Sequence, residues 1–106
     1  MKKKQNQSSP IIKKVKLPRG EEQFAVVIEM SGGSRFKAMC ADGHTRMVRI
    51  GGKLKRRMWV RVNDLILIKP WTVQGDKKAD LIYRYLPAQR NWLIKRDIIP
   101  EELQIW

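Results

Sequence analysis

The sequence predicts an all-β fold: five short strands closed into a small barrel, with a short helix between strands three and four and a second helix at the C-terminus. Three observations predict it. Apolar residues alternate at a period of two or gather in short runs, as strands require. Turn-forming clusters separate those runs at Ser31-Gly32-Gly33-Ser34, Asp42-Gly43, Asn63-Asp64 and Gln74-Gly75-Asp76. Between the third and fourth runs, Leu54 and Met58 lie four apart, the spacing of a short helix with one buried stripe. That element order is the order of the OB-fold, a Greek-key barrel.

Taken in order, residues 1–17 are Lys-rich with a polar stretch, Gln5-Asn6-Gln7-Ser8-Ser9-Pro10, and are expected to form a disordered basic arm. Pro18-Arg19-Gly20 punctuates the entry to the barrel, expected over residues 18–86. Gln23–Met30 alternates Phe24, Val26, Ile28 and Met30, a strand with those four on the buried face. Arg35–Cys40 and Thr45–Ile50 flank Asp42-Gly43, a strong hairpin signal. Leu65–Lys69 is a short apolar strand stopped by Pro70, which cannot donate to a ladder. Ala79–Leu86, with Ile82, Tyr83 and Tyr85, is the fifth. Residues 87–106 hold a helix over Ala88–Arg96, behind Pro87, and a short tail.

Composition narrows the partner. The chain has 106 residues and a formal charge of +13. Residues 1–19 contribute seven Lys or Arg and no acid, and residues 20–86 contribute thirteen basic and seven acidic residues. The last segment, residues 87–106, is neutral with three of each. Such a balance points to a polyanion, nucleic acid before an anionic membrane. The longest wholly apolar run, Leu65–Ile68, is far too short to span a bilayer, and Lys2-Lys3-Lys4 is not followed by the apolar region of a secretory signal. The single Cys40 permits no internal disulfide and fits a cytoplasmic protein, with the thiol as a small core residue.

Two groups of cations are the candidate binding residues. If Asp42-Gly43 makes a two-residue turn, Met39 pairs with Arg46, Lys37 with Val48 and Arg35 with Ile50. Arg35, Lys37 and Arg46 then share one sheet face with no acidic neighbour, a face on which OB-folds bind oligonucleotides. Lys53, Lys55, Arg56 and Arg57, with Arg61 beyond them, form the densest basic cluster. A short helix cannot bury four cations, and Arg adds planar, bidentate contacts to phosphate. Of the four tryptophans, Trp59 is the candidate exposed ring for stacking on a base, whereas Trp71 and Trp92 are expected to pack the barrel against the terminal helix.

Nothing in the sequence competes with a binding role. His44 stands beside the hairpin turn with no Asp, Cys or second His at a useful spacing, so it reads as a surface histidine. Gly51-Gly52-Lys53 is too short for a phosphate-cradling loop, and no metal-ligand cluster is visible. No enzyme activity, metal or cofactor is expected.

Four segments carry a family resemblance: Leu17-Pro18-Arg19, Met39-Cys40-Ala41-Asp42-Gly43, the run Arg49-Ile50-Gly51-Gly52-Lys53-Leu54-Lys55-Arg56-Arg57-Met58-Trp59-Val60, and Gln74-Gly75-Asp76-Lys77-Lys78-Ala79-Asp80. In order and spacing they resemble the translation initiation factor 1A family, the archaeal and eukaryotic counterpart of the smallest bacterial initiation factor. The resemblance implies an S1-like OB-fold protein, monomeric, that binds the decoding (A) site of the small ribosomal subunit through rRNA. There it helps place the initiator tRNA and start codon, in concert with mRNA and other initiation factors including the subunit-joining GTPase. It implies rRNA contacts at Arg46, Lys53, Lys55, Arg56, Arg57 and Trp59, and an N-terminal arm directed towards the P site. The short end, Pro100-Glu101-Glu102-Leu103-Gln104-Ile105-Trp106, resembles the archaeal form, and Trp106 is a candidate to dock on a partner. Two other readings stand beside this one: a general single-stranded RNA or DNA binder of cold-shock or S1-like type, and an adaptor whose basic face meets an acidic protein. Cold-shock domains place several aromatics on strands two and three, where this chain has only Phe36.

Overall fold

The computed structural model describes residues 15–51 and 60–106. In chain order it contains strands β1 (Gln23–Met30), β2 (Arg35–Cys40), β3 (Thr45–Arg49), β4 (Leu65–Pro70) and β5 (Lys78–Arg84), the helix α1 (Pro87–Lys95) and a 3-10 turn at Glu101–Leu103. The helix expected around Leu54 and Met58 falls in residues 52–59, outside the described residues.

Hydrogen-bonded neighbours run β1-β2-β3-β5-β4 and back to β1, a closed five-stranded barrel with the strand order of the OB-fold. Every pairing is antiparallel except β3–β5, where Met47 faces Lys78 and Arg49 faces Asp80 in parallel. Closure leaves no unpaired strand edge.

Two cores share one wall. Ala25, Val27, Phe36, Ala38, Cys40, Val48, Ile66, Ile68, Ala79 and Leu81 fill the barrel interior. Phe24, Val26, Leu65, Leu67, Tyr85, Leu93, Ile99 and Leu103 form a second cluster between the barrel wall and the C-terminal segment. Adjacent strands β1 and β4 separate the two, which is why Phe24–Val27 and Leu65–Ile68 are buried on both faces. The expected buried face of β1 is therefore only half right. Phe24 and Val26 face the second core, but a bulge between Val27 and Glu29 breaks the alternation. Beyond it Ile28 and Met30 are exposed.

Helix α1 starts at Pro87, whose missing N–H costs nothing at a first helical position. The Gln89 side chain accepts from the Leu86 N–H at 2.7 Å and donates to the Tyr83 hydroxyl at 2.9 Å, tying the helix start to β5. The helix ends in a Schellman motif: Ile98 N–H donates to Leu93 C=O and Asp97 N–H to Ile94 C=O, with Asp97 at φ 57°. The chain then folds back, so that the Trp106 indole N–H donates to the Asn63 carbonyl at 3.0 Å and Arg90 lies over the Trp106 ring at 4.9 Å. At the other end Val15 packs on the second core, and Tyr85 donates its hydroxyl hydrogen to the Lys16 carbonyl. No helix among the described residues is long and apolar enough to cross a membrane.

Candidate nucleic-acid interface

The β2–β3 hairpin decides which side chains meet, and its register differs from the expected one. Arg35 pairs with Arg49, Lys37 with Met47, Ala38 with Arg46 and Met39 with Thr45. The connection has three residues, Ala41-Asp42-Gly43, and ends on Gly43 at φ 90°. Cys40 donates its N–H to His44 C=O, and Gly43 donates to Cys40 C=O. The same Asp-Gly pair serves a two-residue turn and this longer one, in which glycine takes the left-handed position. One residue of slip reverses the face of every β3 side chain relative to β2.

Arg46 is the residue this moves. It lies on the inner face with its side chain 5% exposed, so it does not share a face with Arg35 and Lys37. Its two terminal nitrogens donate to the Asp42 carboxylate at 2.9 and 2.7 Å, and its Nε donates to the Gly75 carbonyl. Asp42 also accepts from the His44 N–H and the Gln23 amide. The fork of hydrogen bonds from Arg46 holds the Asp42 carboxyl far below the usual carboxylate range, and Asp42 raises Arg46 in return. Exposed His44 places its Nδ1 3.4 Å from Asp42. Burial pushes the Cys40 thiol up, as suits an inert core residue.

The outer face of the sheet gathers a different set. Arg35 and Lys37 project from β2, Arg49 stands opposite Arg35 on β3, and Lys78 continues the face from β5. The expected absence of acids is corrected by the bulge in β1, which sets Glu29 opposite Lys37 at 3.5 Å. At the far side, Arg49 Nε donates to Asp80 at 3.2 Å, and Trp71 Nε1 donates to the same oxygen at 3.1 Å. The Arg49 guanidinium lies 5.0 Å from the Trp71 ring centre and the Lys78 ammonium 5.7 Å. Trp71 thus stands at the end of β4 beside these cations instead of packing against α1; Trp92 does pack on the second core. An open cleft of about 500 Å³ runs along this edge between Arg49, Lys69, Trp71, Thr72, Val73 and Asp80.

Lys53, Lys55, Arg56, Arg57 and Trp59 lie outside the described residues. Arg61 is exposed in the loop that leads into β4, where its N–H is capped by Asp64 at 2.8 Å and Asn63 donates to Val27. The residues that sequence reasoning missed are Arg49, Lys78 and Trp71. A three-residue hairpin connection would have brought Arg49 beside Arg35; the parallel β3–β5 pairing that adds Lys78 has no local signal. Phe36 is buried in the barrel, so β2 and β3 present no aromatic ring outward. Among the described residues no group of three or more His, Cys, Asp or Glu side chains is placed to hold a metal.

Comparison with known proteins follows the same direction. The family described as translation initiation factor 1A / IF-1 matches residues 12–105. The chain is 44% identical over 89 residues to translation initiation factor 1A of Pyrococcus abyssi, covering 84% of this chain and 79% of that protein. It is 46% identical over 90 residues to the Methanococcus aeolicus factor, covering 83% and 86%, and 40% identical over 103 residues to that of Thermoplasma volcanium, covering 95% and 83%. Its fold is similar to the solution structure of a bacterial-type translation initiation factor, IF-1 from the Wolbachia endosymbiont of Brugia malayi, with a TM-score of 0.51 at 19% identity over 69% of this chain and 85% of that one.

Proposed function

The chain belongs to the translation initiation factor 1A / IF-1 family, and from that membership we propose that it binds the decoding (A) site of the small ribosomal subunit through rRNA and promotes placement of initiator tRNA and start codon. The observation that carries an RNA-facing role is the outer sheet face, where Arg35, Lys37, Arg49 and Lys78 come from three neighbouring strands and end at the Trp71 ring. Four cations spaced along adjacent strands match a backbone of repeated negative charge, and phosphate contacts fix orientation without reading sequence. Lys53, Lys55, Arg56, Arg57, Trp59 and Arg61 extend the proposed surface, and residues 1–17 act as a basic arm beside it. The factor works as a monomer in the cytoplasm, by occupancy and not by catalysis. Its partners are the initiator tRNA and mRNA complex and other initiation factors, among them the subunit-joining GTPase.

Co-sedimentation with purified small ribosomal subunits, with base-probing of the decoding site, tests the reading. We expect saturable, near one-to-one binding that protects decoding-site adenines. Replacing Lys55, Arg56 and Arg57 together by Ala should leave the barrel folded and flatten the slope of log K against log[salt] by roughly 2–3, about 0.7–0.9 for each lost phosphate contact. An unchanged affinity in the folded triple variant would remove this cluster from the site. Equal, weak binding to subunits and arbitrary single strands would make the protein a general single-strand binder.

A further inference from the structure

Arg46 sits where three separate pieces of chain meet. Its fork holds Asp42 in the β2–β3 turn, and its Nε holds the carbonyl of Gly75 in the loop between β4 and β5. Beside it, Met47 N–H donates to Lys77 C=O at 2.8 Å, a second tie between β3 and that loop. The loop is closed on itself, with Lys77 and Lys78 N–H both donating to Gln74 C=O and Trp71 N–H to Lys78 C=O. Gly75 lies so close to the Trp71 carbonyl oxygen that a Cβ there would collide with it. The position of Gly75 therefore sets the position of the Trp71 backbone, and Trp71 carries the ring on which Arg49 and Lys78 converge.

We infer that Arg46 is a positioning residue of the RNA-binding face and not a phosphate ligand: through Asp42 and Gly75 it fixes the 71–77 loop, and with it the Trp71–Arg49–Lys78 group. The inference rests on the RNA-binding reading above for its effect on affinity, but the clamp itself does not. A guanidinium whose side chain is 5% exposed has no face to offer a phosphate without leaving both partners. Leaving them would strand the Gly75 carbonyl and the Asp42 carboxylate, which is costly for a charged hydrogen-bonded pair. Lys could not replace it, since a single ammonium lacks the planar fork that reaches two loops at once.

The test measures affinity of the full chain for purified small ribosomal subunits over a salt series, for Arg46→Met, Asp42→Asn, the double variant and Gly75→Ala. If Arg46 acts through the loop, each single variant binds roughly tenfold more weakly, the double variant is no worse than either parent, and all keep the wild-type salt slope, because coupled sites are not additive. Gly75→Ala moves the loop while leaving core and ion pair in place, so it carries the test if Arg46→Met does not fold. A salt slope lower by about 0.7–0.9 in Arg46→Met, with Asp42→Asn binding normally, overturns the inference and makes Arg46 a phosphate contact. If the wild-type chain shows no saturable binding, the RNA reading fails and the clamp is judged on the Trp71 indole N–H resonance, assigned with Trp71→Phe. That resonance should shift and exchange faster in Asp42→Asn and Gly75→Ala; an unchanged resonance in both sinks the clamp.

Discussion

Asp42 illustrates how much one side chain can organise. It accepts from two nitrogens of Arg46, from its neighbour's backbone at His44 and from Gln23 on β1, so a turn, two strands and a core arginine share one carboxylate. Its folded pKa lies far below the unfolded value of about 3.9. A carboxyl depressed in this way contributes stability that is fully present above the unfolded pKa and is lost as pH falls through the folded one. Asp42→Asn should therefore cost stability at pH 7, by about 1–3 kcal/mol given that the carboxylate is partly solvated. The gap between the two proteins should stay constant from neutral pH down to about 5 and close only below about pH 4. Urea unfolding at a series of pH values measures it. A gap that closes between pH 5 and 7 would mean some other group supplies the effect. Arg46 was hard to read for the same reason that it matters. In Thr-Arg-Met-Val-Arg the two arginines are an odd number of residues apart, so a regular strand turns one inward and the other outward, and nothing local says which. Only Asp42 and Gly75, one across a turn and one in a distant loop, assign the first to the interior.

At the scale of elements, short-range chemistry was the legible part. Five strands and the terminal helix follow from turn residues, apolar runs and Pro87, with boundaries within two residues of those observed. What escaped was whatever depends on partners distant in sequence: the β1 bulge set by pairing with β2, the three-residue hairpin connection, and the tail that returns Trp106 to Asn63. Alternation predicts a face only while the ladder is regular, and one extra residue reverses it. The end of α1 offers a check on local strain. Asp97 holds φ 57° at the Schellman position, a conformation that costs a non-glycine residue about 1 kcal/mol. Asp97→Gly should hold or raise the melting temperature, whereas Asp97→Val, branched at Cβ, should lower stability by roughly 1–2 kcal/mol. Thermal unfolding of the pair decides it, and equal values would show that Asp97 is not confined to that conformation.

The whole molecule divides its charge between a barrel and a segment preceding it. Residues 1–14 carry five of the lysines, while Val15 packs on the second core and Lys16 accepts from Tyr85. The Tyr85 phenol is pushed well above its ordinary value by burial, with Tyr83 and Glu22 adding to the shift. Removing residues 1–14 should weaken subunit binding and leave the melting transition nearly unchanged. Removing residues 1–16 should also cost about 1–3 kcal/mol of stability, because the Tyr85 hydroxyl loses its acceptor. A large destabilisation from the shorter truncation would show that the first fourteen residues are packed. The closed strand order has one more consequence, which concerns the chain while it is being made. β5 lies between β3 and β4, the last strand to be synthesised and the only one that joins those two. Until Lys78–Arg84 has emerged, a nascent chain can form the β1–β2–β3 meander and pair β4 with β1, but two edges stay open and the second core lacks Tyr85, Leu93, Ile99 and Leu103. Fragments ending before β5 should be sticky through those edges, and the barrel becomes a single cooperative body only when its keystone strand arrives.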